Sequence, residues 1–231
     1  MLRWLLMAAL LTVFAGPSAA DEARLLLSWR APFGFSRALE NLSAPCDSSG
    51  VDTLYLSFDP GRDAPTFLGM SATLYFHAAE GDSLGDFWRI ADMNQRGSPL
   101  RASFDSDSAR GFQTPFESPG AGEGRYDYSA GSGRIRMIYA VAANAASPVK
   151  AGHMYGLARV MVRHPRSGMG GCGQPICVEW HVATLAFGAS DVVDENRGAR
   201  LVSINSPNGK VCDAYRSTNL TPVWKPKPPK L

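Results

Sequence analysis

Short runs of β-forming residues, separated by turn residues, recur along the chain and restrict its fold more than any other feature. Apolar, β-branched and aromatic residues dominate the runs, and Gly, Pro, Asn, Asp and Ser cluster between them, which is typical of strands joined by turns. The chain holds 23 glycines and 16 prolines, and long amphipathic helical patterns are nearly absent. The predicted strands are residues 23–29, 52–58, 66–78, 134–143, 153–164, 176–187 and 199–204.

In two of these runs the alternation of residues predicts which side chains are buried. Residues two apart share one face of a strand. The predicted core face of the third run is Leu68, Met70, Ala72, Leu74 and Phe76. In the run HMYGLARVMV both faces are largely apolar, which predicts a strand buried on both sides. Seven or more strands without intervening helices favour an all-β fold, an antiparallel β-sandwich of immunoglobulin-like or jelly-roll type.

The stretch from about residue 94 to residue 133 interrupts this pattern. It is rich in Ser, Gly, Asp and Pro, with Phe104, Phe112 and Phe116 at intervals. It predicts a long irregular insertion with a strand or two, packed by a few aromatic rings, and long loops of this kind are often functional. A single β-sandwich domain is therefore expected over residues 21–215. The Pro/Lys-rich residues 216–231 should form an extended tail, because proline lacks the amide hydrogen of a β-ladder.

The first twenty residues have the layout of a secretory signal peptide. Arg3 precedes an apolar run over residues 4–15, and small residues at 18–20 come before Asp21. The run is shorter than the roughly 20 apolar residues that a membrane-spanning helix needs, and no later run is long enough. We expect an exported protein, periplasmic or extracellular, with no membrane span after cleavage.

The four cysteines of an exported chain are expected to form disulfide bonds. Three pairings are open to Cys46, Cys172, Cys177 and Cys212. The sequence GMGGCGQPIC places Gly and Pro around and between the second and third cysteines, which favours a bridge from Cys172 to Cys177 across a tight turn. That choice leaves a bridge from Cys46 to Cys212, near the two ends of the domain.

A zinc site is the alternative for the same region. His164, Cys172, Cys177 and His181 are residue types that bind zinc. However, zinc requires thiolates, commonly in C-x2-C pairs, whereas the spacing here is C-x4-C in a compartment that favours oxidation. We therefore expect disulfides, with no metal ion and no cofactor.

The order of the segments resembles a known type of sandwich. The segments TLYLSFDP, FLGMSATLYFHA, RIRMIYAVAANAASPVKAGHMYGLARVMVRH and ICVEWHVATLAFGASDVV span roughly residues 50–205. Their order along the chain is similar to the order of strands in the cohesin-like and carbohydrate-binding-module type β-sandwich of exported bacterial proteins. The resemblance implies the fold type and no particular functional residue. The chain departs from it in its cysteines, its N-terminal strand and its insertion, and in lacking tandem copies and a dockerin-like calcium repeat.

Two sequence motifs for catalysis are missing. They are the H-E-x-x-H and G-x-x-x-x-G-K-[ST] patterns. The histidines His77, His153, His164 and His181 lie in or at the ends of predicted strands, where hydrogen-bonded structural histidines are expected. The basic residues are scattered and the formal net charge is +2, which argues against a nucleic-acid partner.

Two acidic clusters are candidates for binding calcium, because oxygen-rich loops hold that ion. One is Asp105 with Asp107, and the other is Asp191 with Asp194 and Glu195. Neither matches the D-x-[DN]-x-[DN]-G loop, so solvated loops are the expectation for both.

Aromatic residues give the better candidates for a binding site. Trp88, Tyr126 and Tyr128 lie in loop-like surroundings, where exposed rings could stack on a sugar, whereas Trp180 is expected in the core. The sequence thus predicts a non-catalytic binding or assembly module with a protein or polysaccharide partner. A carbohydrate-binding module that uses the exposed aromatics and a secreted hydrolase are the alternatives.

Overall fold

A computed structural model describes residues 23–44, 46, 50–79, 82–88, 100–115, 122–130, 134–164, 170–188, 190–194, 201–213 and 215. For residues 122–130, 134–146 and 190–194 the backbone alone is described. The predicted signal peptide and the Pro/Lys-rich tail lie outside these ranges. Among the described residues, no helix has the length and apolar character needed to cross a membrane.

The described part of the chain is built from β-strands and two short 3-10 helices. The 3-10 helices are Ser108–Arg110 and Pro207–Cys212. The strands are β1 (Arg24–Trp29), β2 (Asn41–Leu42), β3 (Val51–Asp59), β4 (Ala64–Ala78), β5 (Leu100–Ser103), β6 (Gly122–Ala130), β7 (Arg134–Val149), β8 (Tyr155–Arg163), β9 (Ile176–Phe187), β10 (Ser190–Asp194) and β11 (Leu201–Ile204).

The strands form two sheets, which confirms the predicted all-β sandwich. The small sheet has the order β1-β3-β8-β5, and the large sheet has the order β2-β11-β9-β4-β7-β6, with β10 also paired to β9. The described strand pairs are antiparallel except β2 with β11, which run parallel. The predicted insertion contributes to both sheets, because β5 extends the small one and β6 the large one.

The core lies between the two sheets and holds large aromatic side chains from both. Trp29 of the small sheet and Trp180 and Phe76 of the large sheet are fully buried, so the expectation for Trp180 is confirmed. In β4, the predicted core positions from residue 70 to residue 76 are also buried. Burial of such side chains supplies most of the stabilisation of a sandwich, at about 25 cal/mol per Å² of apolar surface.

The prediction is wrong for Leu68, which is 38% exposed, while its neighbour Phe67 is fully buried. The ladder between β4 and β7 shifts register between Phe67 and Gly69. At this point two steps along β4 are opposite five steps along β7, and the buried face of β4 changes between Gly69 and Met70, which are both buried. The alternation therefore holds on one side of the bulge and fails on the other.

The outer face of β8 is covered by part of the predicted insertion. Phe112 is buried against Tyr55 of β3, with ring centroids 5.2 Å apart. A Cβ built at Gly156 of β8 would lie 2.5 Å from the Phe112 ring. Arg159 of β8 donates to Asp107 over 3.0 Å. Residues 104–115 thus form a second layer over the small sheet, which covers β8 at Gly156 and Arg159.

The disulfide pairing differs from the prediction. Cys46 pairs with Cys172, with Cα atoms 5.7 Å apart, and Cys177 pairs with Cys212, with Cα atoms 5.0 Å apart. The turn that was expected to carry a local bridge closes early, because Gln174 N donates to the Gly171 carbonyl. Beyond it the chain is already extended, and Cys177 is the second residue of β9. The predicted Cys172–Cys177 and Cys46–Cys212 bridges are therefore wrong.

The glycines before the first cysteine of this turn have a packing role. A Cβ at Gly171 would lie 2.5 Å from the Cα of Gly85, and Gly171 has a φ of 91°. Phe87 N donates to the Gly170 carbonyl over 3.0 Å. The glycine run therefore lets the turn before β9 contact the backbone of residues 82–88 directly.

Candidate binding cleft

An arginine-rich cleft lies where β1 ends and β3 begins. One wall is the loop from Arg30 to Leu39, which follows β1, and the other is formed by Ala109 and Arg110 of the first 3-10 helix and by Gly111, which follows it. Residues Val51–Thr53 of β3 also line the cleft, whose volume is about 810 Å³. This volume is in the range of small-molecule and peptide-side-chain sites in proteins, roughly 300–1,000 Å³.

The cleft gathers apolar side chains that are exposed to solvent. Among the described residues, four large apolar side chains are exposed, and three of them, Phe35, Leu39 and Val51, line this cleft. Phe35 is 48% exposed and Val51 51%. Single exposed apolar residues are common on protein surfaces, but a cluster of them usually marks an interaction site.

Arg30 is held at the cleft by an unusual backbone and by a buried carboxylate. Its φ is 68°, in the left-handed region that residues other than glycine seldom adopt. Its Nε donates to Asp52 Oδ1 over 3.2 Å. The other oxygen of Asp52 accepts a hydrogen bond from His164 Nε2 over 2.8 Å. Asp52 and His164 are each 7% exposed. This buried pair therefore holds the guanidinium group of Arg30 at its Nε atom.

Arg110 is held on the opposite wall by a separate network. Its Nη1 donates to Tyr55 Oη over 3.1 Å, and its Nε lies 3.8 Å from Asp107 Oδ2. The hydrogen bond to Tyr55 raises the pKa of Arg110 above its ordinary value, so Arg110 remains a cation. The two walls also touch, because the Phe35 ring packs on Gly111, where a Cβ would overlap it.

The charges that line the cleft are predominantly positive. Arg30, Arg37 and Arg110 face one carboxylate, that of Asp52, which already accepts hydrogen bonds from two partners. In the part of the chain that the structure describes, Arg37 is exposed and no ion pair involves it. Guanidinium groups next to apolar side chains can bind an anionic ligand that also has apolar parts.

A second polar cluster lies on the outer face of the large sheet. Glu179 of β9 is 4% exposed, with Oε2 at 3.0 Å from His77 Nε2 and Oε1 at 3.3 Å from His181 Nδ1. His77 stacks on Tyr215 with ring centroids 4.2 Å apart. Burial would raise the pKa of Glu179, but the hydrogen bonds from the two histidines outweigh it and hold the pKa below its ordinary value of 4.5. This arrangement stabilises a buried carboxylate and fixes Tyr215 on the sheet.

Trp88, predicted to bind a ligand on the surface, is instead a core residue. It is 1% exposed, and its indole Nε1 donates to the Gly171 carbonyl over 3.0 Å. Its ring lies 6.4 Å from that of Phe76 and 4.8 Å from that of Phe87. The apolar ring is buried because its polar atom finds a backbone partner, which is the usual condition for a buried tryptophan.

The other aromatic candidates and one acidic cluster are described only in part. Tyr126 and Tyr128 belong to β6, where their backbones pair with Tyr139 and Met137 of β7. Their side chains lie outside the description, as do those of Asp191 and Asp194 in β10 and the whole of Glu195. Their binding roles remain predictions.

The remaining site candidates have structural partners. Asp107 accepts from Arg159 and Tyr55, and Asp105 accepts from Ser103 Oγ. The two cysteines of the zinc alternative are in different disulfides. Among the described residues no group of three or more His, Cys, Asp or Glu side chains could hold a metal ion.

The sequence reasoning missed the cleft, although part of its signal was present. The loop RAPFGFSRAL carries two arginines and two phenylalanines within ten residues, with Pro32 and Gly34 as turn formers. Such a basic and aromatic loop after a strand is a reasonable binding candidate. Val51 and Arg110 gave no comparable signal, because only the fold brings them to this loop.

Comparisons with known proteins give distant likenesses of fold. No protein-family model and no curated protein matches the sequence. Among solved structures, the chain is similar to a type II cohesin domain from the cellulosome of Acetivibrio cellulolyticus, with 7% identity, 79% of this chain and 95% of that chain covered, and a TM-score of 0.40.

Two further solved structures are similar to the chain. One is the third cohesin of ScaC from the same organism, in complex with the ScaB dockerin, with 10% identity, 79% and 97% of the two chains covered, and a TM-score of 0.38. The other is AvmM, which catalyses macrocyclization in alchivemycin A biosynthesis, with 11% identity, 78% and 86% covered, and a TM-score of 0.34. At such scores the likenesses carry no argument about function.

Proposed function

We propose that this chain is an exported, non-catalytic binding or assembly module that contacts a partner protein through the arginine-rich cleft. One observation carries the proposal: three of the four exposed large apolar side chains of the described residues line a single cleft, together with three arginines. Aromatic residues and arginine are the types enriched where protein interfaces concentrate their binding energy. The hydrogen bonds of Arg30 and Arg110 support the same interpretation, because they position these side chains before any partner binds.

Export is supported by the cysteines. The four cysteines form two disulfides, and none of them is free. Disulfides persist in oxidising compartments such as the periplasm and the cell exterior. This agrees with the signal peptide predicted from the first twenty residues.

The carbohydrate-binding alternative has lost one of its three candidate residues. Trp88 is buried, so a row of exposed aromatics would have to be built from Tyr126 and Tyr128. No described side chain favours a hydrolase over a binding module, because Asp52 and His164 already serve to hold Arg30.

The proposal is tested by site-specific photo-crosslinking in an exporting host. The photoreactive residue p-benzoylphenylalanine replaces Phe35 in the cleft, and in a matched control it replaces Leu68, which is exposed to 38% but lies outside the cleft. We expect a discrete protein adduct from the Phe35 position alone. That adduct should form again with the purified partner, saturably, and unmodified protein should compete it away.

Other outcomes would overturn the proposal. If both positions give the same adducts, the contacts are non-specific and the cleft is not the binding surface. If the Phe35 position crosslinks only to glycan, the partner is a polysaccharide. If the Leu68 position alone gives a saturable adduct, the module binds through the large sheet.

A further inference from the structure

We propose that the ligand of the cleft is an acidic segment of the partner, a peptide that carries both carboxylate and apolar side chains. This inference rests on the proposed function and specifies the chemistry that the cleft selects. It follows from the charge balance of the lining residues, from the way two arginines are anchored, and from the kind of apolar surface beside them.

The residues that line the cleft carry more positive than negative charge. Among the residues that line it, Arg30, Arg37 and Arg110 outnumber the single carboxylate of Asp52. That carboxylate is nearly buried and already accepts from Arg30 and His164. The side chains of Arg30 and Arg110 remain 50% and 56% exposed. Arg30 is paired with Asp52 and Arg110 with Asp107, but Arg37 has no ion pair among the described residues, so a partner with negative charge would meet an excess of positive charge.

Two of the arginines form a hydrogen bond within the protein through one guanidinium nitrogen, and their other N–H groups can bind a ligand. Arg30 donates to Asp52 through Nε, and Arg110 donates to Tyr55 through Nη1. A guanidinium has five N–H donors in a planar fork, which matches the two oxygens of a carboxylate. Because each side chain is already held at one atom, less conformational freedom is lost when the ligand binds. Lysine would lack this geometry.

The apolar surface of the cleft favours a peptide over an acidic sugar. Sugar rings stack on flat aromatic faces, and the one aromatic residue that lines the cleft, Phe35, packs against Gly111. The other two exposed apolar side chains, Leu39 and Val51, are branched aliphatics. Branched aliphatics offer no flat face to a sugar ring, but they pack well against the apolar side chains of a peptide.

The test is selection from a random library of 12-residue peptides displayed on phage, with the folded, disulfide-bonded mature protein as bait. The selected peptides are then synthesised with a fluorescent label, and their affinities are measured by fluorescence polarisation. Each is compared with a version in which Asp and Glu are replaced by Asn and Gln. An oligogalacturonate and inorganic phosphate are measured as competitors, to represent an acidic sugar and a simple anion.

The variants are chosen to remove charge without touching the fold. Arg37→Gln removes an exposed arginine with no ion pair among the described residues. Arg101→Gln is the matched control, since Arg101 is an exposed arginine of β5, at the opposite edge of the small sheet from β1. Both variants are checked by circular dichroism and thermal unfolding before any binding is measured.

We expect the selected peptides to be rich in Asp and Glu. Their affinity should fall about tenfold or more in Arg37→Gln, which corresponds to one charge-assisted hydrogen bond, and should not change in Arg101→Gln. The amide versions should bind more weakly by a similar factor. Binding should also weaken as sodium chloride rises from 50 to 500 mM, because exposed charges are screened.

The outcomes separate this inference from the proposed function. If neutral or basic peptides are selected and Phe35→Ala abolishes their binding, the cleft binds a partner but does not select an acidic one. If the oligogalacturonate or phosphate competes and no peptide is selected, the inference is wrong and the ligand is a sugar or a simple anion. If no peptide, sugar or anion binds and the Phe35 position gives no specific crosslink, the proposed function and the inference about its ligand are both wrong.

Discussion

The disulfide bridge between Cys46 and Cys172 should contribute more stability than the bridge between Cys177 and Cys212. The first joins residues 126 apart in sequence, and the second joins residues 35 apart. In the chain-entropy account, closing these loops lowers the entropy of the unfolded chain by amounts worth about 4.9 and about 3.8 kcal/mol at 25 °C. The two loops do not overlap in sequence, so the contributions should be close to additive.

The perturbation is a pair of double variants, each of which removes one complete bridge. Cys46→Ser with Cys172→Ser and Cys177→Ser with Cys212→Ser are compared by urea unfolding with the parent protein. Measured effects usually fall below the entropic figure, so we expect losses of about 2–5 kcal/mol, larger for the first variant. Equal losses, or a larger loss for the second variant, would mean that loop length does not govern the effect here.

A tryptic digest of the unreduced protein distinguishes the observed pairing from the pairing predicted from the sequence. Cleavage at Arg and Lys gives the cysteine peptides 38–62, 167–197 and 211–216. With the observed pairing all three stay joined in one species until reductant is added. A digest in which 167–197 runs alone, while the other two are joined, would refute the pairing and restore the local bridge predicted from the sequence.

Two further variants test packing and electrostatics at the small and large sheets. The fold lowers the pKa of Glu179, so the ionised carboxylate stabilises the folded state. This contribution is fully present above pH 4.5 and is lost as the pH falls through the lowered pKa of the folded state. Glu179→Gln should therefore cost about 1.5–3 kcal/mol at pH 5–6 and progressively less in more acidic buffer, in pH-dependent urea unfolding. An equal cost at every pH, or an equal cost for the exposed Glu40→Gln, would contradict this account. Gly156→Ala places a methyl group against the buried Phe112 ring and should lower stability by about 1–3 kcal/mol, whereas Gly170→Ala, where a Cβ meets nothing within 4 Å, should change the melting temperature little.

The sequence predicted the strands of this sandwich well because each strand carries its own signal. Alternation along residues 66–78 identified buried positions such as Met70 and Leu74, since the side-chain period of a strand is a local property. It failed at Leu68, where a bulge reverses the faces. Bulges depend on how a strand pairs with its neighbours, and a single strand's pattern does not contain that information.

Pairing between distant residues explains the other differences. Composition around GMGGCGQPIC favoured a local bridge, but the turn ends before Cys177, which already belongs to β9. The residues next to Trp88 in sequence are typical of a loop, but its side chain lies in the core. This is because residues 82–88 pack on the turn at Gly171. The cleft needs Arg30, Val51 and Arg110 together, and no local pattern brings those three positions to one place.

The parallel pairing of β2 with β11 has a consequence for the order in which the molecule folds. The loop that forms one wall of the cleft runs between β1 and β2, and β2 is held by contacts such as Ala44 N to Asn205 Oδ1, across 161 residues of sequence. Ser203 Oγ donates to Asn41 Oδ1 over 2.7 Å in the same place. Contacts so distant in sequence are slow to form, because the chain between them must close first. β2 lies at the edge of the large sheet, beyond β11, so the end of the cleft wall that adjoins β2 should order late, whereas the bridge between Trp29 and Leu39 closes the loop locally. The two sheets would thus be assembled before the cleft could hold a ligand.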